Sequence, residues 1–139
     1  MKPKLIILLL ILSIAATSNA FMQSPKSRDQ ELSTALYKTG IKIIDIRTKR
    51  EWKRTGIVKG SYIMTFYNEK GQYDAEKFVR KLKKIVNPQE PFGIICNSGN
   101  RTARVVKFLR QAGFSQAIDL KGGVIAAARH NVPFERYTN

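Results

Sequence analysis

The sequence GIICNSGNRTARVVKFLRQAG, residues 93–113, joins an apolar run to an arginine-rich segment through a short polar loop. The run FGIIC (92–96) is too short for a helix, and it predicts a strand buried on both faces, as in a parallel sheet. After the loop, apolar residues recur every three or four positions, which predicts a helix ending at Gly113. The chain's one cysteine, Cys96, therefore lies where a buried strand gives way to a helix.

Other segments repeat this alternation of strand and helix. Residues 41–46 (IKIIDI) and 117–120 (AIDL) are short and mainly apolar, and residues 61–66 (SYIMTF) form a weaker strand candidate. Helices are predicted over residues 27–40, 48–56 and 74–86 from capping residues that precede them. These capping residues are Ser27 with Gln30, Thr48 with Glu51, and Asp74. The pattern predicts an α/β fold with a central parallel sheet flanked by helices on both sides.

The amino-terminal segment MKPKLIILLLILSIAATSNAF has two lysines, an apolar stretch and small residues before a cleavage point, as secretory signals do. We expect residues 1–20 to be a signal peptide, because a membrane span needs about 20 apolar residues and this run is shorter. An uncleaved anchor is the alternative. Residues 21–139 then form a single domain, exported to the periplasm or secreted, with no stable membrane insertion after cleavage.

The chain carries a formal net charge of +15, which becomes +13 when Lys2 and Lys4 leave with the signal. The basic residues are scattered through helices, and an exported chain rarely meets nucleic acid, so we expect no nucleic-acid partner. Their field attracts small anions and acidic partners. A single cysteine forms no disulfide within the chain and no cysteine cluster for a metal. We expect neither a metal nor a cofactor. The sequence specifies no oligomeric state.

The loop after Cys96 lies at the edge where open parallel sheets bind ligands, the carboxyl ends of their strands. Gly99 permits a positive φ there, and Asn97 and Asn100 tolerate one better than other side chains do. A nest of N–H groups at a helix amino terminus binds an anion. The nearest anion is the thiolate of Cys96 itself.

This position bears on the reactivity of the thiol. Arg101 and Arg104 fall in the first turn of the predicted helix, and positive charge at such a terminus favours a nucleophilic thiolate. The alternative is that Cys96 points into the core as an inert apolar residue and the loop is only a tight connection.

Two stretches resemble the signatures of rhodanese-like domains. IIDIRTKREWKRTGIVKGSYIM (43–64) resembles the first, with a strand ending in Asp-x-Arg, an acidic residue and an aromatic in the next helix, and a Gly-x-hydrophobic-x-Gly turn. IICNSGNRTARVVKFLRQAGFSQAIDLKGGVIAAARHNVPFE (94–135) resembles the second, with its cysteine loop and its Gly-Gly-hydrophobic turn. The resemblance as a whole covers about residues 28–137, essentially the whole chain after the predicted signal peptide.

The resemblance implies a sulfurtransferase. Cys96 would take a sulfane sulfur from a small anionic donor, such as thiosulfate or polysulfide, and hold it as a persulfide until a thiol or cyanide acceptor removes it. Asp45, Arg47 and Thr102 would be supporting residues, with a loop-bracing hydrogen bond as the expected role of Asp45. The substrate would be bound by the peptide amides of Asn97, Ser98, Gly99, Asn100 and Arg101, and Arg101 would add its charge.

Two alternatives belong to other functional classes. Phosphatases and arsenate reductases of similar shape place five residues between cysteine and arginine, whereas four separate Cys96 from Arg101. The shorter loop favours one sulfur atom over a tetrahedral phosphate. The second alternative is a non-catalytic rhodanese-like module that carries or senses sulfur, or docks a protein partner.

Overall fold

The computed structural model describes residues 28–139, and the predicted signal peptide lies outside this range. In chain order the elements are β1 (Gln30–Glu31), α1 (Thr34–Lys38), β2 (Lys42–Asp45), α2 (Lys49–Thr55), β3 (Ile57–Val58), β4 (Tyr62–Ile63), α3 (Ala75–Leu82), β5 (Phe92–Ile95), α4 (Asn100–Gln111), β6 (Ala117–Lys121), α5 (Gly123–Arg129) and β7 (Phe134–Glu135). Among these residues, no helix has the length and apolar composition needed to cross a bilayer.

The central sheet has five strands in the order β1-β6-β5-β2-β4, and every neighbouring pair is parallel. Ile94 of β5 is in register with Ile44 of β2 on one side and with Asp119 of β6 on the other. The three predicted buried strands therefore lie next to one another at the centre. A small antiparallel pair of β3 and β7, which the sequence did not predict, lies apart from this sheet.

Alternate residues of the central strands pack on opposite faces of the sheet. Ile44, Ile94 and Cys96 pack in one core cluster with apolar side chains of α3 and α4. Ile43 and Ile95 pack in a second cluster with side chains of α1 and α5. Because successive strand residues point to opposite faces, each strand contributes to both clusters. This three-layer arrangement confirms the predicted α/β class with helices on both sides of a parallel sheet.

The two later capping predictions are confirmed. The Thr48 hydroxyl accepts a hydrogen bond from the Glu51 amide at 3.4 Å, and the Glu51 carboxylate accepts one from the Thr48 amide at 3.0 Å. Asp74 caps α3 by accepting from the Lys77 amide at 2.9 Å. That helix ends at Leu82, four residues before the predicted end.

The prediction of a helix from Ser27 is wrong within the described residues. Gln30 and Glu31 form β1, which pairs with the end of β6, and α1 begins only at Thr34 with Ser33 as its cap. Pairing with β6 is favoured over the local helix, because it satisfies the backbone groups of β1 and adds a strand at the edge of the sheet.

Candidate functional site

The sulfur of Cys96 lies beneath the loop that follows β5. The residue is 1% exposed, and its Sγ accepts a hydrogen bond from the Gly99 amide at 3.2 Å. The thiol also donates to the Thr102 hydroxyl at 3.8 Å, and that hydroxyl donates to the Gly99 carbonyl at 2.9 Å. Cys96 is thus buried, as the inert alternative expects, while its sulfur is bonded to the loop, as the reactive interpretation expects.

Gly99 makes the turn from strand to helix. Its φ is +96°, in the left-handed region, and a Cβ at this position would lie 2.8 Å from the backbone nitrogen of Gly122. Asn97 and Asn100, which tolerate a positive φ, do not adopt one here, because within residues 28–139 the one non-glycine residue with positive φ is Asn131. The loop therefore needs a glycine at this one position.

The other side of the loop is held by α5. The Cys96 carbonyl accepts from the Val124 amide at 2.8 Å, and the Asn97 carbonyl accepts from the Ile125 amide at 3.3 Å. A trans peptide points its N–H opposite to its C=O, so the amides of Asn97 and Ser98 point away from α5. Gly123 lies so close to the Asn97 carbonyl that a Cβ there would overlap it.

Arg101 is held by a residue of α2. Its guanidinium donates to the two carboxylate oxygens of Glu51 at 2.6 and 2.9 Å. Burial by itself raises the pKa of Glu51, but hydrogen bonds from Arg101 and from the Thr48 amide outweigh it and lower that pKa from 4.5 to about 2. The pKa of Arg101 is raised, first by the hydrogen bond to Glu51 and further by the nearby Cys96 sulfur. Both groups are therefore charged at neutral pH.

The remaining loop residues face outward. Ser98 and Asn100 are exposed and Asn97 is half-buried. Among the backbone amides of residues 97–101, the Gly99 amide is the one bonded to the sulfur. The amides of Asn100 and Arg101, at the start of α4, have no acceptor among residues 28–139. Free amides in a first helical turn are able to bind an added anion.

Asp45 and Arg47 form a fully buried ion pair at the same sheet edge. Arg47 Nη2 lies 2.7 Å from Asp45 Oδ2, and neither side chain is exposed. The guanidinium also donates to the Thr55 hydroxyl at 2.7 Å and to the Gly56 carbonyl at 2.8 Å. The pair therefore fixes the end of α2 against the end of β2, which is a bracing geometry.

Asp119 is a buried carboxylate that the sequence analysis did not place near the site. It lies on β6 beside Ile94, and its Oδ1 has no hydrogen-bond partner in the described residues. Burial raises the pKa of Asp119, a hydrogen bond with Thr102 opposes this, and the negative charge of Asp29 adds to it. Its one signal in the sequence is a polar residue inside the short strand AIDL.

Glu51 and the Gly122–Gly123 turn are the contacts to the loop that sequence reasoning missed. Each stands in a motif visible in the sequence, Glu51 at the N3 position of the capping box and the glycines as a Gly-Gly pair. Neither motif states that these residues touch the cysteine loop, because the contact is formed only in the fold.

The chemistry available here is that of a sulfur nucleophile beside an amide donor and a fixed cation. The chain's one histidine, His130, lies after α5, and its Nε2 contacts a Glu31 carboxylate oxygen at 2.6 Å. The histidine therefore has its partner outside the cysteine loop. No three His, Cys, Asp or Glu residues within 28–139 are placed to hold a metal ion together.

Comparison with known proteins identifies the family of the chain. The profile of the Rhodanese-like domain family matches residues 29–129. Thiosulfate sulfurtransferase 18 of Arabidopsis thaliana is 24% identical over 127 residues, covering 88% of this chain and 92% of the plant protein. A sulfurtransferase of Allochromatium vinosum is 42% identical over 40 residues, which are 29% of this chain and 37% of that protein.

Solved structures show the same fold. The crystal structure of a rhodanese-like domain protein from Staphylococcus aureus aligns with a TM-score of 0.57 at 21% identity, covering 79% of this chain and 99% of the other. The fold and the family profile agree with each other. The chain belongs to the rhodanese-like domain family.

Proposed function

We propose that this protein is a sulfurtransferase that moves a sulfane sulfur from an anionic donor to a thiophilic acceptor through a persulfide on Cys96. The thiolate attacks the outer sulfur of a donor such as thiosulfate, whose S–S bond breaks, and sulfite leaves with the bonding electrons. Cyanide or a thiolate then attacks the outer sulfur of the persulfide. The S–S bond to Cys96 breaks, and the cysteine thiolate is restored.

The single observation that carries this proposal is the hydrogen bond from the Gly99 amide to the Cys96 sulfur at 3.2 Å. In both steps the negative charge is on sulfur at the end of β5. A fixed amide donor and the charged Arg101 stabilise that charge without having to rearrange. The sulfurtransferase names of the two relatives support the same reaction class.

Turnover with thiosulfate and cyanide tests the proposal. We expect thiocyanate production by the wild type and none above background by Cys96→Ser, which retains the size of the side chain. After donor exposure, the intact mass should rise by about 32 Da, one sulfur atom, in the wild type alone. Equal thiocyanate production by the two proteins would contradict the proposal.

A second candidate, favoured by the 1% exposure of Cys96, is a module that carries or senses sulfur without turnover. It predicts the mass increase of about 32 Da without multiple turnovers. Failure to gain any adduct would leave a role in docking another protein.

We also propose that the chain is exported, on the strength of residues 1–20. The amino-terminal residue of the protein recovered from its source tests this. We expect a start at Phe21, whereas an intact Met1 in the membrane fraction would indicate an uncleaved anchor.

A further inference from the structure

An open cavity of about 560 Å³ meets the cysteine loop at Arg101, and arginines line two of its sides. Arg50 and Arg54 come from α2, and Arg101 and Arg104 come from α4. Residues three or four apart share one face of a helix, so each helix turns a pair of guanidinium groups to the cavity. Tyr67 of the segment after β4 also lines it.

Two of these four positive charges are uncompensated. Arg101 is paired with Glu51, and Arg50 lies 3.5 Å from Glu69. Arg54 and Arg104 make no hydrogen bond or ion pair with any residue in the range 28–139. A guanidinium group binds carboxylates in a two-pronged geometry, so the two free groups offer sites for two carboxylates.

The cavity leaves room for a molecule larger than the small sulfur anions. Thiosulfate has five non-hydrogen atoms, and at roughly 30 Å³ for each water-sized group it fills about a quarter of the space. The volume falls in the range of sites for larger organic molecules. Arg101 belongs both to this cavity and to the surroundings of the Cys96 sulfur, so a molecule bound here lies next to the reacting loop.

We propose that this cavity binds the sulfur acceptor, a low-molecular-weight organic thiol with two carboxylates, through Arg54 and Arg104. The inference rests on the proposed sulfurtransferase function. The thiolate of the acceptor attacks the outer sulfur of the Cys96 persulfide, and the S–S bond to Cys96 breaks with its electron pair kept by the cysteine. The products are the acceptor persulfide and the free Cys96 thiolate, so the step needs no oxidant or reductant.

The test compares two acceptors on the full chain, with thiosulfate as the donor. Mercaptosuccinate carries two carboxylates and 2-mercaptoethanol carries none. The measured quantity is kcat/KM for mercaptosuccinate divided by kcat/KM for 2-mercaptoethanol, and comparing this ratio between proteins cancels the intrinsic reactivity of each thiol. We expect the double variant Arg54→Gln with Arg104→Gln to lower the ratio about tenfold, because charge-assisted hydrogen bonds are lost.

The matched control is Arg80→Gln with Lys81→Gln, which removes two positive charges from α3, outside the cavity. We expect its ratio to stay within about twofold of the wild type. An unchanged ratio in the Arg54 and Arg104 variant, or an equal fall in the control, would overturn the acceptor site. Absence of transfer from the wild type to any acceptor, cyanide included, would instead overturn the proposed function, so the two failures are distinguishable.

Discussion

Glu51 and Arg101, 50 residues apart in the chain, meet as a two-pronged ion pair with N–O distances of 2.6 and 2.9 Å. The pair ties the start of α2 to the start of α4, and the same carboxylate accepts the amide of Thr48 in the capping box. The position of the cysteine loop therefore depends on α2 as well as on its own glycine.

We predict that Glu51→Gln lowers sulfur transfer and stability together. One prong of the pair is lost, and Arg101 is no longer held by a carboxylate. We expect a loss of about 1–2 kcal/mol in the free energy of unfolding, measured with urea, because the lost hydrogen bonds join charged groups. The control is Glu76→Gln, whose exposed pair with Arg80 contributes less than about 0.5 kcal/mol. Equal losses in the two variants would contradict the role given to Glu51.

The lowered pKa of Glu51 predicts acid sensitivity. A carboxyl with a folded-state pKa of about 2 and an ordinary value of 4.5 stabilises the protein above pH 4.5, and the stabilisation is lost as the pH falls towards 2. After allowance for solvent screening, we expect a loss of about 1–2 kcal/mol across this window. Urea unfolding at several pH values measures it, and the loss should be smaller by that amount in Glu51→Gln. If the free energy of unfolding falls equally with pH in the two proteins, the assignment of the low pKa to Glu51 is wrong.

Gly99→Ala and Gly113→Ala separate backbone strain from crowding. The two glycines have nearly the same φ, +96° and +99°, so each substitution places alanine in the left-handed region at a cost of about 1–2 kcal/mol. A Cβ at Gly113 meets nothing within 4 Å, whereas one at Gly99 lies 2.8 Å from the Gly122 nitrogen. We expect Gly99→Ala to lose about 2 kcal/mol more and to lose transfer activity.

The readouts for this pair are thermal unfolding and thiocyanate production. Gly113→Ala should retain the activity of the wild type. Equal stability in the two variants would show that the contact between the cysteine loop and the Gly122 turn does not matter.

Arg47→Met tests the bracing role of the buried pair. The change leaves the Asp45 carboxylate buried without its partner, which costs about 3–5 kcal/mol. Arg50→Met, three residues further on and 83% exposed, should cost less than about 0.5 kcal/mol. Urea unfolding distinguishes the two. A small effect of Arg47→Met would mean that the pair does not hold α2 in place.

Asp119→Asn should stabilise the protein at neutral pH. The pKa of Asp119 is raised, first by burial. This carboxyl therefore stabilises the fold at pH values below the ordinary pKa of 3.8, and the stabilisation is lost as the pH rises through the folded-state pKa. The asparagine carries no charge, and we expect a gain of about 1 kcal/mol at pH 7 that shrinks towards pH 4. Unfolding curves at the two pH values measure this gain. A loss of stability at pH 7 would show that the carboxylate is needed there.

Local rules predicted much of the fold. The runs that became β2, β5 and β6 are short and mainly apolar, and a strand buried on both faces requires that composition. The caps of α2 and α3 were also predicted, because they involve side chains only three residues from the amides they bind. The helix expected from Ser27 failed, since the competing partner of Gln30 and Glu31 lies about 90 residues away in β6.

Two features of the site follow from neighbouring residues in the chain: Cys96 ends a buried strand, and a glycine turns the chain into the next helix. The groups that meet the loop come together only in the folded chain: Glu51 from α2, the α5 amides behind the Cys96 and Asn97 carbonyls, and the arginines on either side of the cavity. The spacing of apolar residues along a segment indicates which of its faces are buried. This spacing does not indicate which distant segment packs against that face, because contacts between distant segments form only when the whole core packs.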